Sequence, residues 1–161
     1  MKKYELTEET VTVYGKTLYR IRAVRDFGSV KTGEFGGYIE KEENLSHFGD
    51  AWVYGNAKVS GDAKVSGDAR VFDNAWVYGN AEVFNTRHFF VQGPIGSRDG
   101  YVTFYRTKDD TVEVRCGCFS GSLQEFVNQV EETHGGSRYE KEYKLAAELA
   151  KVCIRLEGES R

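Results

Sequence analysis

The chain has 161 residues, of which 40% are apolar, 29% charged and 14% aromatic. That is enough apolar surface for one packed domain or two small ones, and it is not the composition of a disordered tail. A formal net charge of −3 supplies no overall positive field to draw the chain onto long nucleic acid or an anionic membrane, and no apolar run approaches the ~20 residues of a spanning helix.

The opening Met1-Lys2-Lys3-Tyr4-Glu5-Leu6 has no hydrophobic stretch behind its lysines, so it does not read as a signal peptide and a cytoplasmic location is expected. Val11-Thr-Val-Tyr14 and Leu18-Tyr-Arg-Ile-Arg-Ala-Val24 are strand-like runs joined through Gly15-Lys16, a hairpin signal. Asp26 to Ile39 reads as a loop. Residues 1–43 therefore predict a β-rich cap over whatever follows. Within them Arg20, Arg22 and Arg25 form a small basic cluster, either a solvated face or an anion site.

From Asp50 the chain repeats every six residues: Asp-Ala-Trp-Val-Tyr-Gly, then Asn56-Ala-Lys-Val-Ser-Gly, and onward through Asn80-Ala-Glu-Val-Phe-Asn85. Valine recurs at 53, 59, 65, 71, 77 and 83, and alanine at 51, 57, 63, 69, 75 and 81. A looser hexad, Asn44-Leu-Ser-His-Phe-Gly49, precedes them in the same frame and puts His47 at an inward valine position. A six-residue period fits neither an amphipathic helix nor a simple meander. It fits a parallel β-helix of three short faces per coil, with valines inside and Gly-Asn or Gly-Asp corners. The competing reading is a run of turn-rich hairpins. The pattern resembles the hexapeptide repeat of left-handed β-helix proteins, and the expected fold class is mainly β: a short left-handed parallel β-helix over 44–86, followed by an α+β module over 87–161.

Eighteen residues per coil would stack Trp52 beneath Arg70, Lys58 beneath Trp76 and Lys64 beneath Glu82. Two faces would then carry outward aromatic–cation pairs. Such a surface suits a contact with another subunit or with the chain's own C-terminal part, a platform for a flat ligand, or mere stacking.

Past Asn85 the period stops. His88 to Gln92, Tyr101 to Thr107 and Thr111 to Phe119 alternate as three strands. Ser122-Leu-Gln-Glu125 and Ser137-Arg-Tyr-Glu140 are capping boxes. They open two helices, with Leu123, Phe126, Val127 and Val130 inward on the first, and Leu145, Leu149, Val152 and Cys153 inward on the second. The order expected is β-β-β-α-α.

Three places invite chemistry. The loop Gly93–Gly100 presents glycine backbone, Ser97 and Arg98, a setting for phosphate or a plain connection; Arg106 and Arg115 would join Arg98 in an anion pocket if strand register brought them together. Cys116-x-Cys118 offers two thiolates, but three cysteines and three histidines supply a metal poorly, and buried thiols are expected. His47, His88 and His134 lack the spacing by which some hexapeptide proteins hold zinc between subunits. No metal and no cofactor is expected.

The Tyr4-Glu-Leu-Thr7 opening, Leu18-Tyr-Arg-Ile21, Asp26-Phe-Gly28, Gly36-Gly-Tyr-Ile39 and the repeated Asp-Ala-x-Val-x-Gly together are similar to small hexapeptide-repeat proteins of phages and prophages, the YdcK-like type. The resemblance implies an oligomer, dimer or trimer, and a non-catalytic binding protein in the bacterial host's cytoplasm. Its task would be phage anti-defence, by sequestering a nucleotide-like signal or blocking a host defence protein. The ligand residues expected are Trp52, Lys58, Arg70 and Trp76 on the repeat and Arg98, Arg106 and Arg115 in the module, aromatics stacking a base and arginines neutralising phosphate. The alternative that the resemblance carries is an acyltransferase using acyl-coenzyme A, with His88 recruited as general base.

Overall fold

Tyr4–Val13 (β1) and Lys16–Ala23 (β2) form an antiparallel hairpin in a computed structural model that describes residues 1–157. The turn residues Tyr14 and Gly15 have φ of +48° and +79°, the left-handed pair that matches the twist of the flanking strands. Phe35–Ile39 (β3) adds antiparallel to β2, placing Arg20 opposite Tyr38 and Tyr19 opposite Ile39.

The hexads supply six strands of two residues each: Trp52–Val53 (β4), Lys58–Val59 (β5), Lys64–Val65 (β6), Arg70–Val71 (β7), Trp76–Val77 (β8) and Glu82–Val83 (β9). Their pairings are parallel: Trp52 with Arg70, Lys58 with Trp76, and Lys64 with Glu82. Trp52 N–H donates to Ala69 O at 3.1 Å, and Lys58 and Lys64 donate likewise to Ala75 O and Ala81 O at 2.9 Å. All six valines and all six alanines are at most 1% exposed. A buried valine contributes on the order of 1.5–3 kcal/mol, so this column is the main apolar store of the N-terminal half. Gly67 turns one corner at φ +62°, and a Cβ there would lie 2.4 Å from Phe84 O.

The expected fold class does not stand. A short left-handed β-helix with a three-strand module is replaced by four separate sheets: a mixed five-stranded sheet β1-β2-β3-β5-β8, two-stranded sheets β4-β7 and β6-β9, and a four-stranded sheet near the C-terminus. Two-residue strands are too short to make continuous faces. One of them, β5, is instead taken up by the N-terminal hairpin through β3, which pairs with it in parallel (Tyr38 with Lys58). Gly37 permits that approach, since a Cβ would meet Ala57 O at 2.5 Å. The first, looser hexad also leaves the expected frame. Leu45, not His47, bridges Val65, and Asn44 is buried, donating from Nδ2 to Ala63 O at 2.8 Å and Gly61 O at 3.2 Å.

Phe89–Ile95 (β10), Gly100–Arg106 (β11), Val112–Cys116 (β12) and Phe119–Ser122 (β13) form an antiparallel sheet in sequence order. The expected third strand over Thr111 to Phe119 ends instead at Cys116, and Phe119–Ser122 turns back to pair Phe119 with Cys116 and Glu113 with Ser122, making a fourth strand. Alternation gives this sheet two buried faces. Phe89, Val91 and Tyr105 pack on the hexad core, while Val102, Phe104 and Val114 pack under the helices Leu123–His134 (α1) and Arg138–Cys153 (α2).

The Ser122 capping box of α1 is formed, with Ser122 Oγ accepting from Glu125 N–H at 3.1 Å and Glu125 Oε1 from Ser122 N–H at 2.8 Å. The one expected at Ser137 is not. Ser137 Oγ donates to His134 O at 2.7 Å, and Glu140 accepts from Gly136 N–H at 3.0 Å. On α2 the inward residues are Ala146, Ala147 and Ala150, whereas Leu145, Leu149 and Val152 are 70, 47 and 69% exposed. The alanines place the helix backbone close to its neighbours, with the Tyr143 ring 5.7 Å from Phe126. No helix among the described residues is long and apolar enough to cross a membrane.

Candidate functional site

The seven residues expected to bind a ligand divide sharply. Trp52 is 2% exposed, its indole lying edge-on to Phe27 at 5.2 Å and Tyr4 at 6.5 Å. The N-terminal segment folds over this face and also takes Arg70, whose guanidinium donates to Ser29 Oγ at 3.1 Å. Trp52 belongs to the packing and Arg70, half-buried, is held by Ser29, so the outward Trp52–Arg70 pair does not form.

Arg106 is buried and committed. It donates from Nε to Asp110 Oδ1 at 2.9 Å and from Nη1 to Glu82 O at 3.0 Å, with its guanidinium 5.0 Å from the Phe84 ring. It clamps the module to the last hexad. Arg98 lies in the turn beyond the Ile95–Gly100 pair, whereas Arg106 pairs with Val112 and Arg115 with Thr103. The three arginines do not converge, so the expected anion pocket is absent. The loop is instead pinned by a carboxylate, with Gly96 N–H donating to Glu142 Oε1 at 2.9 Å. A groove of about 520 Å³ opens beside it, lined by Pro94, Ser97, Asp99, Arg138, Leu145 and Leu149 among others.

Lys58, Trp76 and Arg115 are brought together. The outward row across the five-stranded sheet runs Arg20, Tyr38, Lys58, Trp76, each in register with the next. Beyond it stands Arg115, whose guanidinium carbon lies 4.0 Å from the Trp76 ring centre, 4.5 Å from Tyr78 and 5.3 Å from Tyr14. The Tyr14 ring stacks on Trp76 at 5.6 Å and 11°, so the β1–β2 turn, the hexads and the C-terminal sheet meet at one point. Trp76 is fixed from both ends: its indole N–H donates to Ser60 Oγ at 2.8 Å, and its backbone N–H to Thr103 Oγ1 at 3.0 Å. The cation on Trp76 is thus Arg115, from another part of the chain, and not the stacked Lys58 that the repeat predicted. Lys58 turns its ammonium to Asn56 O at 3.3 Å, and burial holds its pKa below the usual lysine value.

Charge distinguishes this corner from the rest of the row. Arg20 is ion-paired with Glu9 at 2.8 Å, Lys16 with Glu40 at 3.4 Å, and Arg22 with Glu5. Of the basic cluster of the N-terminal segment, Arg20 and Arg22 are thereby neutralised, while Arg25 donates to backbone, to His47 O at 3.3 Å. Arg115, by contrast, is 8% exposed and makes no hydrogen bond or ion pair among the described residues; its Nε is buried with no acceptor. The Tyr105 hydroxyl, on the same sheet face, is also buried without a partner, and its pKa is raised by burial and by the nearby Glu113. Buried polar groups are ordinarily satisfied, so two orphans on one face mark a place built for something further. No protein-family model and no curated protein matches this chain.

Histidine chemistry finds no support here. His88 is 2% exposed, its Nδ1 accepts from Phe84 N–H at 3.1 Å, and burial with the nearby Arg106 pulls its pKa down to about 4. A ring held so has no free basic nitrogen for an acceptor, and it closes the last hexad. His47 stacks on Tyr4 at 4.1 Å. Its Nδ1 accepts from Lys3 N–H at 3.1 Å, which leaves the Nε2 proton to Glu42 Oε1 at 3.1 Å. Cys116, Cys118 and Cys153 are free thiols, with Cys118 exposed and burial pushing Cys116 up. No group of three or more metal-binding side chains is present among the described residues.

Sequence reading missed Tyr14 and Tyr105. Tyr14 carried one signal, a large aromatic in a hairpin turn where small residues are preferred. Tyr105 carried none, because its role depends on strand register.

Proposed function

We propose that the protein is a non-catalytic binding protein for a flat anionic ligand of the nucleotide-like class, held where Arg115 meets Trp76, Tyr14 and Tyr78. The observation that supports this is the Arg115 cation, buried against three aromatic rings with no acceptor of its own. An anionic group would give its N–H fork the charge-assisted bonds it lacks, and aromatic rings beside it suit a stacked base. Resemblance to small phage and prophage proteins favours anti-defence as the setting, with sequestration of a signal nucleotide in the bacterial cytoplasm by a dimer or trimer. The exposed Leu145, Leu149 and Val152 stripe on α2 supports an assembly.

Isothermal titration with cyclic mononucleotides and ADP-ribose tests the reading. Saturable heat with at least one of them is expected, lost in Arg115→Gln. No heat with any of them, in a folded protein, ends it.

A further inference from the structure

We infer that the Arg115 site takes a ligand carrying a single phosphate group beside one flat ring, and gains nothing from additional phosphates; the inference rests on the binding role proposed above. The argument is a count of charges around Trp76. Two cations adjoin that ring without a carboxylate partner among the described residues: Arg115, stacked at 4.0 Å, and Lys58, its register partner on β5. The next cations outward, Arg20 and Lys16, are already neutralised by Glu9 and Glu40. On the other side stands Glu113, two residues from Arg115 on β12 and on the same face of the sheet, across from Tyr105. It subtracts from the positive field and would repel a second or third phosphate.

Donor supply gives the same limit. The Arg115 guanidinium, whose Nε is buried without an acceptor, is a single donor group and suits a few oxygens of one anion; the Tyr105 hydroxyl on the same sheet face is fully buried. Phosphate chains are held elsewhere in proteins by successive backbone amides at a glycine-rich loop or a helix N-terminus. The hexad amides near Trp76 are spent on the ladder: Lys58 N–H goes to Ala75 O and Ser60 N–H to Val77 O. The open edge of the site is Tyr14, which is 63% exposed on a two-residue turn and stacks on Trp76.

A charge series in both adenine and guanine forms tests this by titration on the full chain: nucleoside, 3′,5′-cyclic monophosphate, 5′-monophosphate and 5′-triphosphate. The expected order has the nucleoside at least ~10-fold weaker than its best monophosphate, and the triphosphate no tighter than the monophosphate. Arg115→Lys, which keeps the charge but not the stacked fork, should weaken the monophosphate ~10-fold or more. A triphosphate ~10-fold tighter than either monophosphate would overturn the one-phosphate limit and leave the binding role standing. Equal affinity of nucleoside and monophosphate would overturn the role of Arg115. Silence across the whole series in a protein with native circular dichroism would remove the binding role and this inference together.

Discussion

Trp52 and Trp76 occupy the same position of the repeat, and substituting each by alanine separates burial from exposure. Trp52 is 2% exposed and Trp76 half-buried. A fully buried aromatic removes on the order of 150–250 Å² from water, which at ~25 cal/mol per Å² is worth about 4–6 kcal/mol; measured aromatic-to-alanine losses run ~3–5 kcal/mol. Trp52→Ala should therefore lose ~3–5 kcal/mol, a large share of a marginal ~5–15 kcal/mol total. Trp76→Ala should lose roughly half as much, because part of its ring already meets water. Trp52→Phe is a sharper test. The indole N–H has no hydrogen-bond partner, and leaving such a group buried costs ~1–3 kcal/mol. Removing it offsets most of the lost ring, so Trp52→Phe should stay within ~1.5 kcal/mol of the parent. Urea denaturation followed by far-UV circular dichroism gives all three values. Should Trp52→Ala cost less than Trp76→Ala, the indole is not beneath Tyr4 and Phe27, and the argument from burial is wrong.

Two buried bases make stability rise with pH in separate windows. Burial and Arg106 lower His88 from 6.5 to about 4, so between those values the unfolded chain holds a proton that the folded protein does not, and stability should fall as pH drops from 6.5 toward 4. Burial lowers Lys3 from 10.5 to about 8, so stability should rise again above pH 8, until the raised hydroxyls of Tyr4 and Tyr105 oppose it near pH 10. Denaturation midpoints across pH read both slopes, and His88→Phe should flatten only the acid one; an acid limb unchanged in that variant would assign it to other groups. Gly67→Ala, strained at φ +62° with its Cβ 2.4 Å from Phe84 O, should cost well over ~1 kcal/mol. A melting temperature equal to the parent's would contradict the corner geometry.

The hexad spacing made the parallel pairings readable, because an alanine and a valine every six residues leave few ways to bury both. It could not show what the outward positions would meet. Trp52 is covered and Trp76 is half open because the segment around Phe27 and Ser29 lies over one face and the Tyr14 turn over another, contacts made by residues remote in sequence. For the same reason the repeat offered Lys58 as the cation for Trp76, while the fold supplied Arg115 from β12. The frame shift that puts Leu45 opposite Val65 arises where Asn44 spends its side chain on backbone carbonyls, a choice no periodicity records. On α2 apolar size alone points to Leu145, Leu149 and Val152 as the inward face. The alanines won, since a helix against a sheet and a second helix packs closest through its smallest side chains. The candidate site was legible as residue types and illegible as a place, because it needed the register of strands in residues 89–122.

The C-terminal sheet has consequences for how the molecule comes apart. Phe89 and Tyr105 on one side and Phe104 and Val114 on the other are carried by the same few strands, so neither half can lose its order without stripping cover from the other. A single cooperative melt follows. Shortening the chain after the last hexad would leave Val91's neighbours and the Trp76 corner open to water rather than release a self-sufficient fragment.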